Sequence, residues 1–291
     1  MTGEPWTDAV IIGILGLLIG SFLNVVIHRV PIMMEREWEQ ECRDYIEDKG
    51  WPAPPPSEHT GRFSLLAPAS RCPHCGHAIR WYENIPVVSY IALRGKCAGC
   101  KARISIRYPL VELVTGGLFY WCATQWGWTM TTALWCAFSA ALVSLTMIDW
   151  DTTLLPDSIT LPLLWAGLIG SAAHWLSVPL VDALFGAAAG YLFLWSIYWA
   201  FKLLTGKEGM GYGDFKLLAA LGAWFGWSAL VPIILIASVI GAIVGIGMKL
   251  TSSLREGQYV PFGPFLAGAG FAAMLLGPER ILQSVLSLLG I

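Results

Sequence analysis

Eight apolar stretches punctuate the chain, at about 8–28, 109–127, 130–149, 157–176, 180–203, 214–227, 229–249 and 261–277. A helix needs roughly 17–25 apolar residues to span a bilayer. The sixth stretch is short unless it tilts or starts earlier, and the eighth is followed by a second apolar run after Pro278-Glu279-Arg280. The pattern predicts an all-α polytopic membrane protein of about eight transmembrane helices. Its one long polar segment, between the first two helices, predicts a loop domain there. The basic residues and two Cys-x-x-Cys pairs within it make that a cytoplasmic zinc-binding domain. The expected division is a first transmembrane helix over 1–28, a loop domain over 29–108 and a membrane domain of about seven helices over 109–291. WPAPPPS (51–57) reads as a stiff turn inside the loop.

Composition agrees with the pattern. Of the 291 residues 56% are hydrophobic and only 13% charged, with a mean hydropathy of +0.61. Soluble domains carry about 25% charged residues. A net charge of −2 argues against general affinity for nucleic acid. Many of the 15 tryptophans lie near the ends of apolar runs, as in an interfacial aromatic belt. MTGEPWTD has no basic region, and the first apolar run ends at His28-Arg29 without a cleavage-like site. That predicts a retained anchor rather than a cleaved signal.

Charge supplies the orientation. Most of the 18 Lys and Arg residues lie between Arg29 and Arg107. With eight spans, Lys202, Lys207, Lys216, Lys249 and Arg255 fall on the same side, and only Arg280 does not. The positive-inside rule makes that side cytoplasmic and the N-terminus periplasmic. The polar stretches MIDWDTTLLPD (147–157) and GKEGMGYGD (206–214) are then both expected at the cytoplasmic face.

Four of the seven cysteines form two Cys-x-x-Cys knuckles, Cys72/Cys75 and Cys97/Cys100. Two such knuckles bring four thiolates into one tetrahedron, the arrangement structural zinc prefers. Disulfides or idle thiols are the alternative, and the cytoplasm keeps thiols reduced. Four protein ligands leave no open position, so the metal is expected to be structural. Cys42 sits among charges, while Cys122 and Cys136 read as ordinary buried small residues.

Ionisable residues at membrane depth are functional suspects. Glu112, Asp149, Asp151, Asp157, Asp182, Asp214 and Glu279 are the candidates. Glu112 fits a first helical turn, Asp157 a helix cap, Asp182 a helix start and Glu279 an interfacial pair with Arg280. Asp149 ends an unbroken apolar run, and Asp214 opens one. Capping is also open to Asp214. Gly211 and Gly213, however, permit positive φ and close backbone approach, which a cap does not require. Two carboxylates converging in a poorly hydrated cleft cannot both ionise cheaply, so one stays protonated while the other is a base. Such a pair can activate water and protonate the leaving amine of a peptide bond.

Together these residues resemble the type IV prepilin peptidases, bifunctional leader peptidases and N-methyltransferases of the bacterial inner membrane. GSFLNVVIHRVP (20–31) looks like the family's first-helix signature. The double Cys-x-x-Cys loop, RYPLVELVTG (107–116), IDWDTTLLPD (148–157), GMGYGDFKLLAALGAW (209–224) and VPFGPFLAGA (260–269) follow in the family's order. The resemblance implies that Asp149 and Asp214 are the catalytic pair, Asp214 being the aspartate of the family's GxGD motif. It implies cleavage of a short basic leader after glycine at the cytoplasmic face. It also implies methylation of the new N-terminus with S-adenosylmethionine. The implied substrates are prepilins and pseudopilins of type IV pili and type II secretion, met in a lipid membrane. No strand–GxGxxG–helix unit announces a cofactor site. The cysteine-bearing loop, RGKCAGCKAR (94–103) included, is the expected place for methyl transfer, although its Arg and Lys also read as a solvated or lipid-facing surface. Glu35, Glu37, Glu39, Glu41 and Asp44 are either a docking face for the basic leader or a solvated helix face.

Two rival classes stand beside this reading. A proton-coupled transporter would relay protons through Asp149 and Asp214, but it would place its acids near the midplane and often show paired broken helices. A zinc-domain scaffold without chemistry leaves the GYGD segment unexplained.

Overall fold

A computed structural model describes residues 5–52, 63–251 and 260–288. From position 53 onward the WPAPPPS turn lies outside the described residues, as does Arg255. The described residues form ten α-helices in order: α1 (Pro5–Asp48), α2 (Val88–Ala92), α3 (Arg107–Trp126), α4 (Met130–Thr152), α5 (Asp157–Ala172), α6 (Leu180–Thr205), α7 (Tyr212–Phe225), α8 (Leu230–Leu250), α9 (Gly263–Leu276) and α10 (Pro278–Leu288). Among the described residues the only β pairing is two isolated bridges, Arg71↔Ala78 and Lys96↔Arg103. The architecture is all-α.

Each of the eight apolar stretches became a helix, yet not each is long enough to cross a bilayer alone. Four helices have the length and composition to span: α1, α4, α6 and α8, the last with the short turn before it. A fifth arises if α9 and α10, bent by 101° at Gly277, count as one broken span. α5, α7 and α9 have 16, 14 and 14 residues. At 1.5 Å per residue that is about 21–24 Å, short of a hydrocarbon core of about 30 Å. Among the described residues, length and composition by themselves support four to five spans.

The chain divides into two compact units, Met1–Thr124 and Gln125–Ile291. In the first, α1 does not stop where its apolar run does. It runs on to Asp48, 44 residues in all, because the Glu- and Arg-rich sequence after Pro31 is dominated by good helix formers. Glu35, Glu37, Glu39, Glu41 and Asp44 are exposed along this second half. α3 lies against the first half, and a Cβ at Gly20 would sit 2.7 Å from the Cα of Glu112. Small residues at such a crossing let membrane helices approach closely. Arg29 on α1 is buried and donates to the carbonyls of Ser64 (2.7 Å) and Pro68 (2.6 Å), folding that segment onto the helix.

In the second unit α7 is the central helix. It is apolar on nearly every side and buried from Leu217 through Trp224, as expected of a helix surrounded by others. It meets α6 at a glycine pair. A Cβ on Gly222 would collide with the Gly186 carbonyl, and one on Gly186 with the Gly222 carbonyl. Trp224 closes the far end. Its Nε1 donates to the Leu163 carbonyl of α5 at 2.8 Å, and its ring packs 4.7 Å from that of Phe138 on α4.

Gly222→Ala is expected to destabilise the protein by about 1–3 kcal/mol, because two backbones must separate to admit one methyl group. Gly117→Ala is the control. A Cβ there meets nothing within 4 Å, and an exposed helical Gly→Ala change is favourable by up to about 1 kcal/mol. Thermal unfolding in detergent should lower the midpoint only for Gly222→Ala.

Candidate active site and metal centre

Asp149 sits near the C-terminal end of α4, whose apolar run carries it to a position only 4% exposed. α4 ends where the Asp149 carbonyl accepts from Thr153 N–H at 2.8 Å and Thr153 turns left-handed, φ 56°. Asp214 is the third residue of α7 and is 7% exposed. Gly211, not Asp214, occupies the cap position of α7. Capping therefore does not account for this carboxylate.

The two aspartates come together around Leu155, in the short connection between α4 and α5. A Cβ on Gly213 would lie 2.7 Å from the Leu155 Cβ. A Cβ on Gly263, the first residue of α9, would lie 3.1 Å from the Leu155 Cδ1 and would collide with the Asp149 carboxylate. Only glycine fits at either place. The two carboxylates are close enough for their charges to act on each other. Asp149 Oδ2 and Asp214 Oδ1 are buried, and among the described residues neither has a hydrogen-bond partner. Buried polar atoms are nearly always paired, so two orphaned carboxylate oxygens in one place mark a site rather than a scaffold.

The glycines act differently from the expectation. Gly211 has φ −83°, and neither it nor Gly213 is left-handed. Gly213 is needed for close approach to Leu155, not for backbone freedom. Over Gly211 the space is open: a Cβ there meets only the Gly213 nitrogen, at 4.0 Å.

The other acids separate from this pair. Asp157 does not cap α5: Pro156 holds the cap position, and Asp157, the first helical residue, pairs with Lys216 on α7. Asp151 is exposed. Asp182 and Glu279 lie in the first turns of α6 and α10. Glu112 departs from the first-turn expectation. It lies in the second turn of α3, buried by the approach of α1 at Gly20, and accepts from Val87 N–H at 2.8 Å. That bond holds a β-branched residue at φ 60°, a conformation such residues rarely adopt.

The four knuckle cysteines meet in the first unit. Their sulfurs lie within 4.8 Å of one another, with Cys72 to Cys100 at 3.8 Å and Cys75 to Cys97 at 4.0 Å. A tetrahedron of thiolates with 2.3 Å metal bonds has edges of about 3.8 Å. The donor set and its spacing thus fit a metal ion. The two knuckles are alike. In each, the residue after the second cysteine, Gly76 or Lys101, is left-handed and its N–H returns to the carbonyl of the first cysteine. Each knuckle is closed by one of the isolated bridges, and the second carries most of RGKCAGCKAR. Backbone N–H groups turn inward to the sulfurs. Those of His74 and Cys75 hold the Cys72 thiol down at about 7, and those of Cys100 and Gly99 lower that of Cys97. His77 is no member of the cluster; it bonds Glu83 at 3.0 Å. Cys42 is exposed, and Cys122 and Cys136 are buried.

This constellation has relatives. Residues 14–126 match the bacterial peptidase A24 N-terminal domain, and residues 136–246 match the type IV leader peptidase family. The chain is 53% identical over 279 residues to a prepilin leader peptidase/N-methyltransferase of Aeromonas hydrophila, covering 94% of this chain and 93% of the relative. Proteins of the same name from Stutzerimonas stutzeri and Pseudomonas aeruginosa are 53% and 51% identical, over 91% and 95% of this chain and 90% and 93% of theirs. No solved structure matches the chain significantly. The chain belongs to the type IV leader peptidase family.

Proposed function

We propose that this chain is a prepilin leader peptidase and N-methyltransferase in which Asp149 and Asp214 hydrolyse the peptide bond. The observation that carries the reading is the convergence of two buried carboxylates, each with an unpartnered oxygen, beneath Leu155 and beside Gly263. Two carboxylates sharing a desolvated site share one proton. The ionised carboxylate takes a proton from water as the water attacks the scissile carbonyl. The protonated one donates to the departing amine, and the pair ends with its roles exchanged. The open space over Gly211 gives an extended substrate backbone a route to Asp214. The substrates on this reading are prepilins and the related pseudopilins.

The metal is zinc, held by Cys72, Cys75, Cys97 and Cys100. With four protein ligands it would have no position left for water, and its work would be to fold a segment with little apolar core. S-adenosylmethionine is the methyl donor on this reading. Among the described residues no strand–glycine loop–helix unit offers it a cradle, so no residue is assigned to it and no step is routed through it.

On this reading the short α5, α7 and α9 count as membrane helices beside α1, α3, α4, α6 and α8, which makes eight. Within the second unit α7 is screened from lipid by its neighbours. The site, on the same reading, faces the cytoplasm from the bacterial inner membrane and the N-terminus is periplasmic, an orientation that the basic loops support. The domain division follows: a first membrane helix, a metal-bearing loop over 29–108, and a peptidase domain over 109–291.

The test is a purified preparation in detergent, given a prepilin and S-adenosylmethionine, with the products weighed. Loss of the leader and gain of one methyl group on the new N-terminus is the expected result. An intact prepilin, with the protein folded, would remove the reading.

A further inference from the structure

Asp157 and Lys216 form an ion pair that hydrolysis does not use. The Lys216 Nζ lies 2.7 Å from both carboxylate oxygens of Asp157. Asp157 opens α5, and Lys216 stands two residues beyond Asp214 on α7. Two residues before Asp157, Leu155 fits against Gly213 and reaches Gly263 over the Asp149 carboxylate. Residues 155 and 157 of one segment are thus tied to residues 213 and 216 of another, by one apolar contact and one ionic contact. The two ties fall on either side of Asp214 along α7. Asp149 belongs to the same segment as the first pair, since only the last turn of α4 and the connection 153–156 separate it from Asp157.

We propose that the Asp157–Lys216 pair is a positioning clamp that sets the separation and mutual orientation of the Asp149 and Asp214 carboxylates. Both side chains are partly open to solvent, 52% for Asp157 and 29% for Lys216, and such pairs add little to global stability. Their value lies in geometry. Packing of α5 on α7, anchored at the far end by Trp224 against Leu163 and Gly167, holds the two helices together. The ion pair fixes the register of their near ends, beside the α4–α5 connection. Neither residue touches the reacting atoms: the Lys216 ammonium is committed to Asp157.

The proposal rests on the aspartyl-pair reading, so Asp214→Asn is run in the same prepilin assay. Cleavage by Asp214→Asn would remove that reading, whatever the clamp does. With that control inactive, Asp157→Asn and Lys216→Gln are expected to lower kcat by roughly 10- to 100-fold with KM nearly unchanged, the cost of misplacing reacting groups by about 1 Å. Lys216→Arg should stay within about threefold of wild type, because a guanidinium holds both carboxylate oxygens. The exchanged pair Asp157→Lys with Lys216→Asp should regain most of the lost kcat. Single variants within about twofold of wild type would overturn the clamp. So would a folded exchanged pair no better than the single variants, or loss of cooperative thermal unfolding in them, which would make the pair a requirement of the fold.

Discussion

Asp149→Asn and Asp214→Asn should each reduce prepilin cleavage by roughly 10²- to 10⁴-fold, the range that positioned general acid–base catalysis supplies. Asn is nearly isosteric with Asp and cannot take a proton from water. Both side chains are buried, and each has a carboxylate oxygen with no hydrogen-bond partner among the described residues. Replacing a desolvated carboxylate with a neutral amide therefore should not cost stability, and each variant should melt at or above the wild-type midpoint. Loss of activity together with an undiminished midpoint is the signature of a catalytic group. The double variant should be no worse than either single one, because the two act as a unit. Cleavage persisting in either single variant would break the assignment.

The second large effect concerns the cysteines. Metal analysis of the purified protein should find about one zinc ion per chain, and Cys97→Ser should release it. Binding of structural zinc in small domains contributes about 10–16 kcal/mol at neutral pH. The 71–103 segment has two isolated bridges, one turn of 3₁₀-helix and one short α-helix of its own, so little else would hold it. Limited proteolysis should then cut between Arg71 and Arg103 in Cys97→Ser, or after prolonged chelation, and spare the metal-loaded wild type. The aspartates belong to the other compact unit. Metal should accordingly be lost before peptide cleavage is, and simultaneous loss of both would make the metal part of the hydrolytic site.

How much of this was legible in the chain differs from residue to residue. The four cysteines could be read directly, because ligand type and spacing within each knuckle are local properties. Their similarity as two hairpins was hidden, since one knuckle uses Gly76 and the other Lys101 at the same left-handed position. Asp149 and Asp214 stood out because a carboxylate at the edge of an apolar run is costly wherever the fold takes it. The two acids that misled, Glu112 and Asp157, have partners 25 and 59 residues away. A window of about 11–18 residues, the span over which periodicity is read, contains both members of neither pair.

The eight apolar runs determined eight helices on their own, since a long apolar stretch must satisfy its backbone internally. Where those helices end was decided otherwise. α1 runs on because good helix formers follow its apolar half, and α7 is short because it is enclosed by neighbours rather than by lipid. Gly222 and Gly186 count only as a pair, at the point where two helices cross. The meeting of Asp149 with Asp214, under Leu155 and against Gly263, likewise belongs to the tertiary structure. The sequence by itself determined which groups were chemically able to act. Only packing could decide which of them touch, because van der Waals fit is settled between segments that the chain keeps far apart.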